Sequence, residues 1–286
     1  MIVFHHNDAD GRCAAAIVKH WFDATSTPSM EHSCFKAVEM DYKDKPPFGS
    51  IDPYDTVVIV DFSFKPEDMK TIMAATKMGV VWCDHHKTAK DYDYGCEIAG
   101  IRDFTDKGLC GAELAWKFFF PKEYMPHWLT LLGDYDAWRM THREECLAFY
   151  EGLKLYVQDP EYGIWHTLLK EDHLWDKIRD EGKVCIFYRD NYCGEMRKSF
   201  GFETVIGGQK AYALNTYRFG SQGFGEKAKE YPICIAFIYD GRQFAVSLYS
   251  ETVDVSVIAK SFGGGGHKGA SGFVCKALPF VISEPQ

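Results

Sequence analysis

Residues 56–61 read Thr-Val-Val-Ile-Val-Asp, and residues 80–86 read Val-Val-Trp-Cys-Asp-His-His. Runs of β-branched and apolar residues predict buried strands, and Pro66 between the two runs predicts the start of a helix. The same alternation begins at the N-terminus, where residues 2–5 predict a strand and the alanine-rich residues 11–22 predict a helix. This β-α-β succession predicts a mostly parallel, doubly wound sheet in the N-terminal part of the chain.

Further along the chain, helices are predicted around 111–120 and 122–132, and the pattern is mainly helical from 143 to 199. Strands are then predicted at 202–206, 210–214, 233–239 and 244–249, with helices near 221–230 and 255–262. The sequence therefore predicts a bilobal α/β protein. Its expected parts are an N-terminal catalytic domain over 1–145, a helical connector over 146–199 and a smaller C-terminal α/β domain over 200–286.

The composition narrows the class of protein. The chain has 286 residues and a formal net charge of −9, which argues against binding along duplex or other long nucleic acid. No apolar run approaches the ~18 residues of a membrane span, and the N-terminus lacks the pattern of a signal peptide, so we expect a cytoplasmic protein without a membrane partner. None of the 10 cysteines forms a CxxC pair, and we expect reduced thiols.

Four short clusters of Asp and His follow predicted strands or apolar segments. They are His5-His6-Asn-Asp8-Ala-Asp10, then Asp61, then Asp84-His85-His86, and finally Asp134-Tyr-Asp136 after the apolar residues 128–132. Open α/β sheets place ligands at the carboxyl ends of strands, so we expect these clusters to converge. Carboxylates with imidazoles suit Mn²⁺, Zn²⁺ or Fe²⁺, and two metals that share one Asp can activate water for phosphoryl transfer. A single Asp after a strand is more often a helix cap, so the joint occurrence carries this prediction.

These motifs resemble those of the DHH phosphoesterase superfamily. Asp84-His85-His86 matches the motif that names it, and His6-x-Asp8-x-Asp10-Gly11, Asp61 and Gly133-Asp134 match the others in order. The C-terminal part resembles the DHH-associated domain in its Gly263-Gly-Gly-Gly-His267 segment, which a short predicted helix precedes. The resemblance extends from residue 3 to about 275 and points to the branches similar to nanoRNases (oligoribonucleases) and to RecJ.

The resemblance implies two divalent metal ions, with Mn²⁺ the usual cofactor. His6, Asp8 and Asp61 would hold one metal, and Asp10, Asp61, His85 and Asp134 would hold the other, with Asp61 bridging. His86 would face the substrate phosphate, Asp84 would orient a histidine, and the nucleophile would be a metal-bridging hydroxide. His5 competes with His6, and Asp136 competes with Asp134, which is preferred because Gly133-Asp134 matches the family pattern.

Residues for substrate binding are also implied. Gly264, Gly265, Gly266 and His267 would approach a phosphate, because glycine lets backbone amides come close to an anion. A loop without a role is the structural alternative. Tyr249 stands where nanoRNase-like relatives have an Arg, and it could stack on a base or hydrogen-bond a phosphate. Arg102 lies near the motifs and is a further candidate for binding phosphate.

The leading hypothesis for function is a metal-dependent phosphodiesterase that hydrolyses short oligonucleotides or linear dinucleotides to mononucleotides. Cyclic dinucleotides are a related substrate, and a homodimer is left open. The alternatives are a pyrophosphatase or polyphosphatase, which would need a denser set of cations, and a RecJ-type single-strand exonuclease. A non-catalytic nucleotide sensor ranks last because all six implied ligand positions carry ligand-type residues.

Overall fold

The computed structural model describes residues 1–26, 34–171 and 173–280, and these residues form two compact units. The first unit is Met1–Val184, and the second begins at Cys185. The strands of the first unit are β1 (Ile2–His6), β2 (Lys36–Met40), β3 (Val57–Val60) and β4 (Val80–Cys83). Its helices are α1 (Ala9–Thr25), α2 (Pro66–Ala75), α3 (Gly111–Phe119), α4 (His127–Asp136), α5 (Arg143–Leu153) and α6 (Ile164–Leu168).

The strands of the first unit form a parallel sheet in the order β2-β1-β3-β4. Each central strand is buried on both faces, as its run of apolar residues requires. Helix α1 packs with α3 and α4 on one face, whereas Met69 and Ile72 of α2 pack on the other face with Phe4 and Ile59. The predicted doubly wound, mostly parallel sheet is therefore confirmed. Strand β2 was not among the predicted elements, since its sequence Lys-Ala-Val-Glu-Met has no apolar run.

Two helical predictions need correction. The helix expected over 122–132 is α4, which begins at His127 because Pro126 precedes it and cannot continue a helix from before. The apolar residues 128–132 lie in this helix, as predicted. Helices α5 and α6 do not form a separate connector, because Phe149, Leu153 and Trp165 belong to the core of the first unit. The boundary between the units falls inside the long helix α7 (Leu174–Phe200).

The second unit contains a mixed sheet in the order β5-β6-β7-β8-β10-β9. Its strands are β5 (Phe202–Ile206), β6 (Gln209–Asn215), β7 (Ile233–Tyr239), β8 (Phe244–Tyr249), β9 (Gly265–His267) and β10 (Ala270–Cys275), and its short helices are α8 (Lys227–Glu230) and α9 (Val255–Ser261). Only β6 and β7 pair in parallel among these strands. Val255 and Ala259 of α9 pack on one face of this sheet. The expected α/β texture of this region is confirmed.

Candidate metal centre

The turn from β1 into α1 supplies His6, Asp8 and Asp10. Asp8 is the N-cap of α1 and accepts a hydrogen bond from the backbone N–H of Gly11 at 2.9 Å, while its other oxygen lies 2.7 Å from Nδ1 of His6. Glycine is required at position 11, because a Cβ atom there would lie 2.4 Å from the carbonyl oxygen of His6. The tight turn thus places one imidazole and two carboxylates at the carboxyl end of β1.

Asp10 reaches across to the start of helix α3. Its two carboxylate oxygens accept hydrogen bonds from the backbone N–H groups of Gly111 and Ala112, at 2.7 and 2.9 Å. A helix N-terminus favours negative charge because its first N–H groups have no partner within the helix. Buried Asp10 is therefore fixed in place by the backbone of another element.

Asp61 follows β3 and lies at the centre of the site. It is 1% exposed, and its backbone adopts the left-handed conformation with φ of 51°. Neither carboxylate oxygen has a hydrogen-bond partner within the described residues. Gly111 packs against it so closely that a Cβ atom would lie 2.3 Å from the Cβ of Asp61. A buried, charged oxygen without a partner is costly, so this carboxylate points to a ligand.

The Asp84-His85-His86 segment follows β4. Oδ1 of Asp84 accepts hydrogen bonds from the backbone N–H groups of both histidines and lies 2.8 Å from Nδ1 of His86. Nε2 of His85 lies 3.1 Å from Oδ1 of Asp61 and 3.3 Å from Oδ2 of Asp136. Both oxygens lack a hydrogen-bond partner, so this close approach is of the kind found among ligands of a shared cation. The geometry places Asp84 where it can orient His86.

Among the described residues Asp136, and not Asp134, belongs to the groups of Asp and His ligand atoms that lie within 4.8 Å of one another, and Asp134 as a metal ligand stays a prediction. Oδ1 of Asp134 accepts from Nε of Arg139 at 3.0 Å, and Oδ2 accepts from the backbone N–H of His142 at 3.0 Å. The carboxylate of Asp134 is therefore committed to the turn after α4. Asp136 instead faces Nε2 of His85. The two residues are two positions apart on α4, which points their side chains to different faces of the helix.

His5 and His6 are oriented differently. Nδ1 of His5 lies 2.8 Å from the carbonyl oxygen of His6, and its buried ring lies near Glu39, Arg12 and Asp8. Nδ1 of His6 lies 3.9 Å from Oδ2 of Asp61.

We define the Asp–His cluster by the members of three overlapping groups. The groups are His6, Asp8 and Asp61; Asp61, His85 and His86; and Asp10, His85 and Asp136. Within each group the ligand atoms lie within 4.8 Å of one another. Asp61 belongs to two of the groups, as a bridging ligand would.

Electrostatics of the Asp–His cluster favour a bound cation. Burial, followed by repulsion from Asp10 and Asp8, raises the pKa of Asp61 well above its usual range. Burial and the same two neighbours also raise the pKa of Asp136. Burial opposes ionisation of Asp8 as well, but hydrogen bonding to His6 and to Gly11 outweighs it and holds the pKa of Asp8 at about 2. Buried carboxylates with imidazoles suit Mn²⁺, Zn²⁺ or Fe²⁺, so the residues present fit a divalent metal.

Arg102 ties the segment after β4 to the strand. Its Nη1 donates to the carbonyl oxygens of Ile98 at 2.9 Å and Trp82 at 3.2 Å, and its guanidinium lies 5.2 Å from the centre of the Trp82 ring. A role for Arg102 in binding substrate stays a prediction.

The first two glycines of the run belong to the end of a helix rather than to an open loop. Gly263 and Gly264 end helix α9, since their N–H groups donate to the carbonyl oxygens of Lys260 and Ala259 at 3.0 and 2.9 Å. Gly263 has the positive φ of 79° that this helix-ending motif needs. A Cβ on Gly264 would lie 2.1 Å from the carbonyl oxygen of Gly272, so position 264 requires glycine for packing. The Gly264 amide is thus not free for a phosphate.

The remaining predicted substrate residues lie in the second unit. Gly265, Gly266 and His267 form β9 at the edge of the sheet, with His267 exposed. Tyr249 ends β8 and lines a cavity of about 410 Å³ together with Ser247 and the exposed Arg218. Their roles in binding stay predictions.

Sequence reasoning missed one aromatic group at the Asp–His cluster. Tyr42 follows β2, stacks on Phe62 with ring centres 4.7 Å apart, and lies 5.7 Å from the rings of both His6 and His86. The signal for it was weak, because the strand before it was not predicted. Trp138 and Tyr135 line a cavity that Asp8 and Asp136 also line.

Comparison with known proteins agrees with the fold and the motifs. Residues 1–133 match the model described as "DHH family, N-terminal domain". This match shows that residues 1–133 belong to the N-terminal domain of the DHH family, and it agrees with the Asp and His motifs found there. No helix among the described residues has the length and apolar character needed to cross a membrane.

The chain is similar to three further proteins. An uncharacterized protein of Acanthamoeba polyphaga mimivirus is 26% identical over 238 residues, which covers 78% of this chain and 53% of the relative, so the chain spans about half of that protein. The pGpG-specific phosphodiesterase PggH of Vibrio cholerae has a TM-score of 0.56 at 14% identity, covering 96% of this chain and 93% of that one. RecJ of Thermus thermophilus in complex with Mn²⁺ has a TM-score of 0.46 at 16% identity, covering 95% and 49%.

Proposed function

We propose that this chain is a metal-dependent phosphodiesterase that hydrolyses short oligonucleotides or dinucleotides to mononucleotides. The observation that supports it best is Asp61, a buried carboxylate that has no hydrogen-bond partner in the part of the chain that the structure describes and that belongs to two groups of ligand-type atoms. Two divalent cations held by the Asp–His cluster would supply Lewis acidity and a nucleophilic water, which is the chemistry of phosphodiester hydrolysis at paired metal sites. The residue types favour Mn²⁺, Zn²⁺ or Fe²⁺ over Mg²⁺, and we propose Mn²⁺.

His86 is the residue proposed to contact the substrate phosphate. Because Nδ1 is held at 2.8 Å by Asp84, Nε2 is the ring nitrogen left to donate a hydrogen bond. The side chain is 27% exposed, whereas Asp84 is fully buried, so the imidazole and not the carboxylate can reach a bound molecule. Asp84 would fix the orientation of the imidazole and stabilise its protonated form. A similar carboxylate–histidine arrangement orients catalytic histidines in other hydrolases.

The net charge of −9 supports a short substrate, because a long polyanion would be repelled along most of its length. The structurally similar PggH of Vibrio cholerae is a phosphodiesterase specific for pGpG, which is a dinucleotide. The proposal for this chain shares only that substrate class.

The test is product analysis with Mn²⁺ and four substrates offered separately. These are a 5′-phosphorylated dinucleotide, a long single strand, a cyclic dinucleotide and pyrophosphate. We expect mononucleotides to appear fastest from the dinucleotide. Phosphate from pyrophosphate alone would contradict the proposal in favour of a pyrophosphatase, and fastest turnover of the long strand would favour an exonuclease.

Two variants show whether any turnover belongs to the Asp–His cluster. Asp61→Asn should abolish hydrolysis. Asp91→Asn is the matched control, because Asp91 is an exposed aspartate of the same unit and removes the same charge. Equal rates for the two variants would show that a contaminating enzyme, or another site, does the chemistry.

A further inference from the structure

The turn after helix α4 is held in a costly backbone conformation. Trp138 and Met140 have φ values of 52° and 55°. These values lie in the left-handed region, which residues other than Gly, Asn and Asp rarely adopt. Two such residues within three positions persist only where the surrounding structure fixes them, and such strain is concentrated at binding and catalytic sites. The turn is therefore a candidate for positioning a functional side chain.

Arg139 is the residue that fixes the turn. Its Nη1 and Nη2 bind Glu113 at 2.8 and 2.9 Å, and its Nε donates to Asp134 at 3.0 Å. Glu113 and Asp134 are almost fully buried, so both ends of this ion cluster are rigid. The backbone N–H groups of Arg139 and Met140 also donate to the carbonyl oxygen of Asp134. With Arg139 anchored in this way, Trp138 is forced outward.

Trp138 is 55% exposed, which is unusual for the largest apolar side chain. It lines a cavity of about 190 Å³ that Asp8, Asp10 and Asp136 also line, so the cavity adjoins the Asp–His cluster. Tyr135 and Tyr150 complete the aromatic side of the cavity: their rings stack 3.5 Å apart, and Tyr135 meets Trp138 edge to face at 5.9 Å. A residue needed only for packing would be covered, whereas this indole presents its surface beside the ligand-type carboxylates.

We infer that this cavity is a nucleobase subsite, in which the base of a nucleotide bound at the Asp–His cluster stacks on Trp138. The inference rests on the proposed function, and it narrows the substrate to one that carries a base next to the reacting phosphate. Every nucleobase has an aromatic face, and stacking on a protein ring contributes to affinity with little dependence on sequence. Pyrophosphate and polyphosphate have no group for an aromatic wall, and the neighbouring carboxylates would repel a phosphate placed in the cavity itself.

The experiment compares two ligands that differ only by the base. Adenosine 5′-monophosphate and ribose 5-phosphate are titrated calorimetrically into the Mn²⁺-loaded full chain. For Trp138→Ala we expect the dissociation constant of adenosine 5′-monophosphate to rise about 5- to 150-fold, with that of ribose 5-phosphate changed less than twofold. Trp138→Phe keeps a ring and should retain most of the affinity, which keeps the test decisive if the alanine variant folds poorly.

Two control variants define the site. Tyr124→Ala removes a fully exposed aromatic side chain that lines a different cavity of the first unit, and it should leave both affinities unchanged. Tyr42→Ala removes the aromatic ring on the His6 and His86 side of the cluster. Loss of base-dependent affinity in Tyr42→Ala instead of Trp138→Ala would overturn the inference, as would parallel loss of both ligands in Trp138→Ala.

This binding test is independent of turnover. If the wild-type protein hydrolyses no dinucleotide yet binds adenosine 5′-monophosphate through Trp138, the proposed function fails and the base subsite stands. If dinucleotides are hydrolysed and both ligands bind Trp138→Ala as they bind the wild type, the subsite fails and the proposed function stands.

Discussion

Substituting Asp61 with Asn removes one negative charge from the centre of the Asp–His cluster while keeping its shape. The substitution suits the backbone, because Asn is one of the few residues that readily adopt the left-handed conformation seen at this position, φ of 51°. Asn also fits the tight contact with Gly111, since it adds no atoms. The change therefore tests charge and ligation with little disturbance of packing.

The magnitude follows from the charges around Asp61. The ligand atoms of Asp8 and Asp61 lie within 4.8 Å of each other. At an effective dielectric constant of about 20, two full charges at that separation repel by about 3 kcal/mol. Because the pKa of Asp61 is raised, partial protonation relieves part of this repulsion. We expect the metal-free variant to be more stable than the wild type by about 1–3 kcal/mol, which corresponds to a rise in Tm of about 2–12 °C.

The gain in stability of metal-free Asp61→Asn over the wild type should increase with pH. Burial, then repulsion by Asp10 and Asp8, raises the pKa of Asp61 in the native state above its unfolded value. Such a carboxyl group lowers the stability of the metal-free native state as the pH rises from the pKa of the unfolded state towards the pKa of the native state. The advantage of Asp61→Asn should therefore be small near pH 4 and larger near pH 8.

Metal should reverse the order of the two proteins. At a Mn²⁺ concentration about 1,000 times the dissociation constant, binding stabilises the wild type by about 4.1 kcal/mol, which exceeds the advantage of the metal-free variant, whereas the variant should gain little and lose turnover. All seven tryptophans lie in the first unit, so their fluorescence during urea denaturation reports on that unit. The measurement is made with chelator and with Mn²⁺, beside Asp91→Asn. Destabilisation of the metal-free variant, or an undiminished Mn²⁺ effect with turnover, would refute the reasoning.

Three further predictions address neighbouring residues. Arg139→Met leaves buried Glu113 without a counter-charge and should lower the free energy of unfolding by about 3–5 kcal/mol in urea denaturation; a loss below 1 kcal/mol would contradict the burial argument. Asp136→Asn should weaken Mn²⁺ binding in a titration. Asp134→Asn should lower the free energy of unfolding by about 1–3 kcal/mol and leave the Mn²⁺ affinity unchanged. The reverse pattern would favour Asp134 as the metal ligand. His267→Ala should raise KM for a dinucleotide without changing Mn²⁺ affinity, and an unchanged KM and kcat would remove β9 from the substrate site.

The strands of the first unit and most of the Asp–His cluster follow from the sequence. Residues 57–60 and 80–83 are short apolar runs that only a buried strand accommodates, and each ends directly at an acidic residue. Parallel strands carry their carboxyl ends to one edge of the sheet, so proximity of Asp61 and Asp84 is a consequence of topology.

The parts that could not be predicted depend on contacts distant in sequence. Asp134 and Asp136 are equally plausible ligands in a linear pattern, and only the phase of α4, set by the anchor of Arg139, decides between them. The glycine run shows the same limit. Glycine disfavours strands, so the pairing of β9 with β10 depends on the neighbouring strand and on the end of α9, which the local sequence does not reveal.

The ion cluster of Glu113, Asp134 and Arg139 beneath the turn after α4 restricts which substitutions this chain can accept in evolution. A Cβ atom on Gly133 would lie 2.4 Å from Glu113 and 2.6 Å from Arg139, so even the smallest side chain displaces the pair. Loss of either Glu113 or Arg139 leaves the other charge unpaired in the interior, and loss of Asp134 removes one acceptor of the guanidinium. Each single replacement at these four positions lowers stability, so we expect changes at one of them to be accompanied by compensating changes at the others.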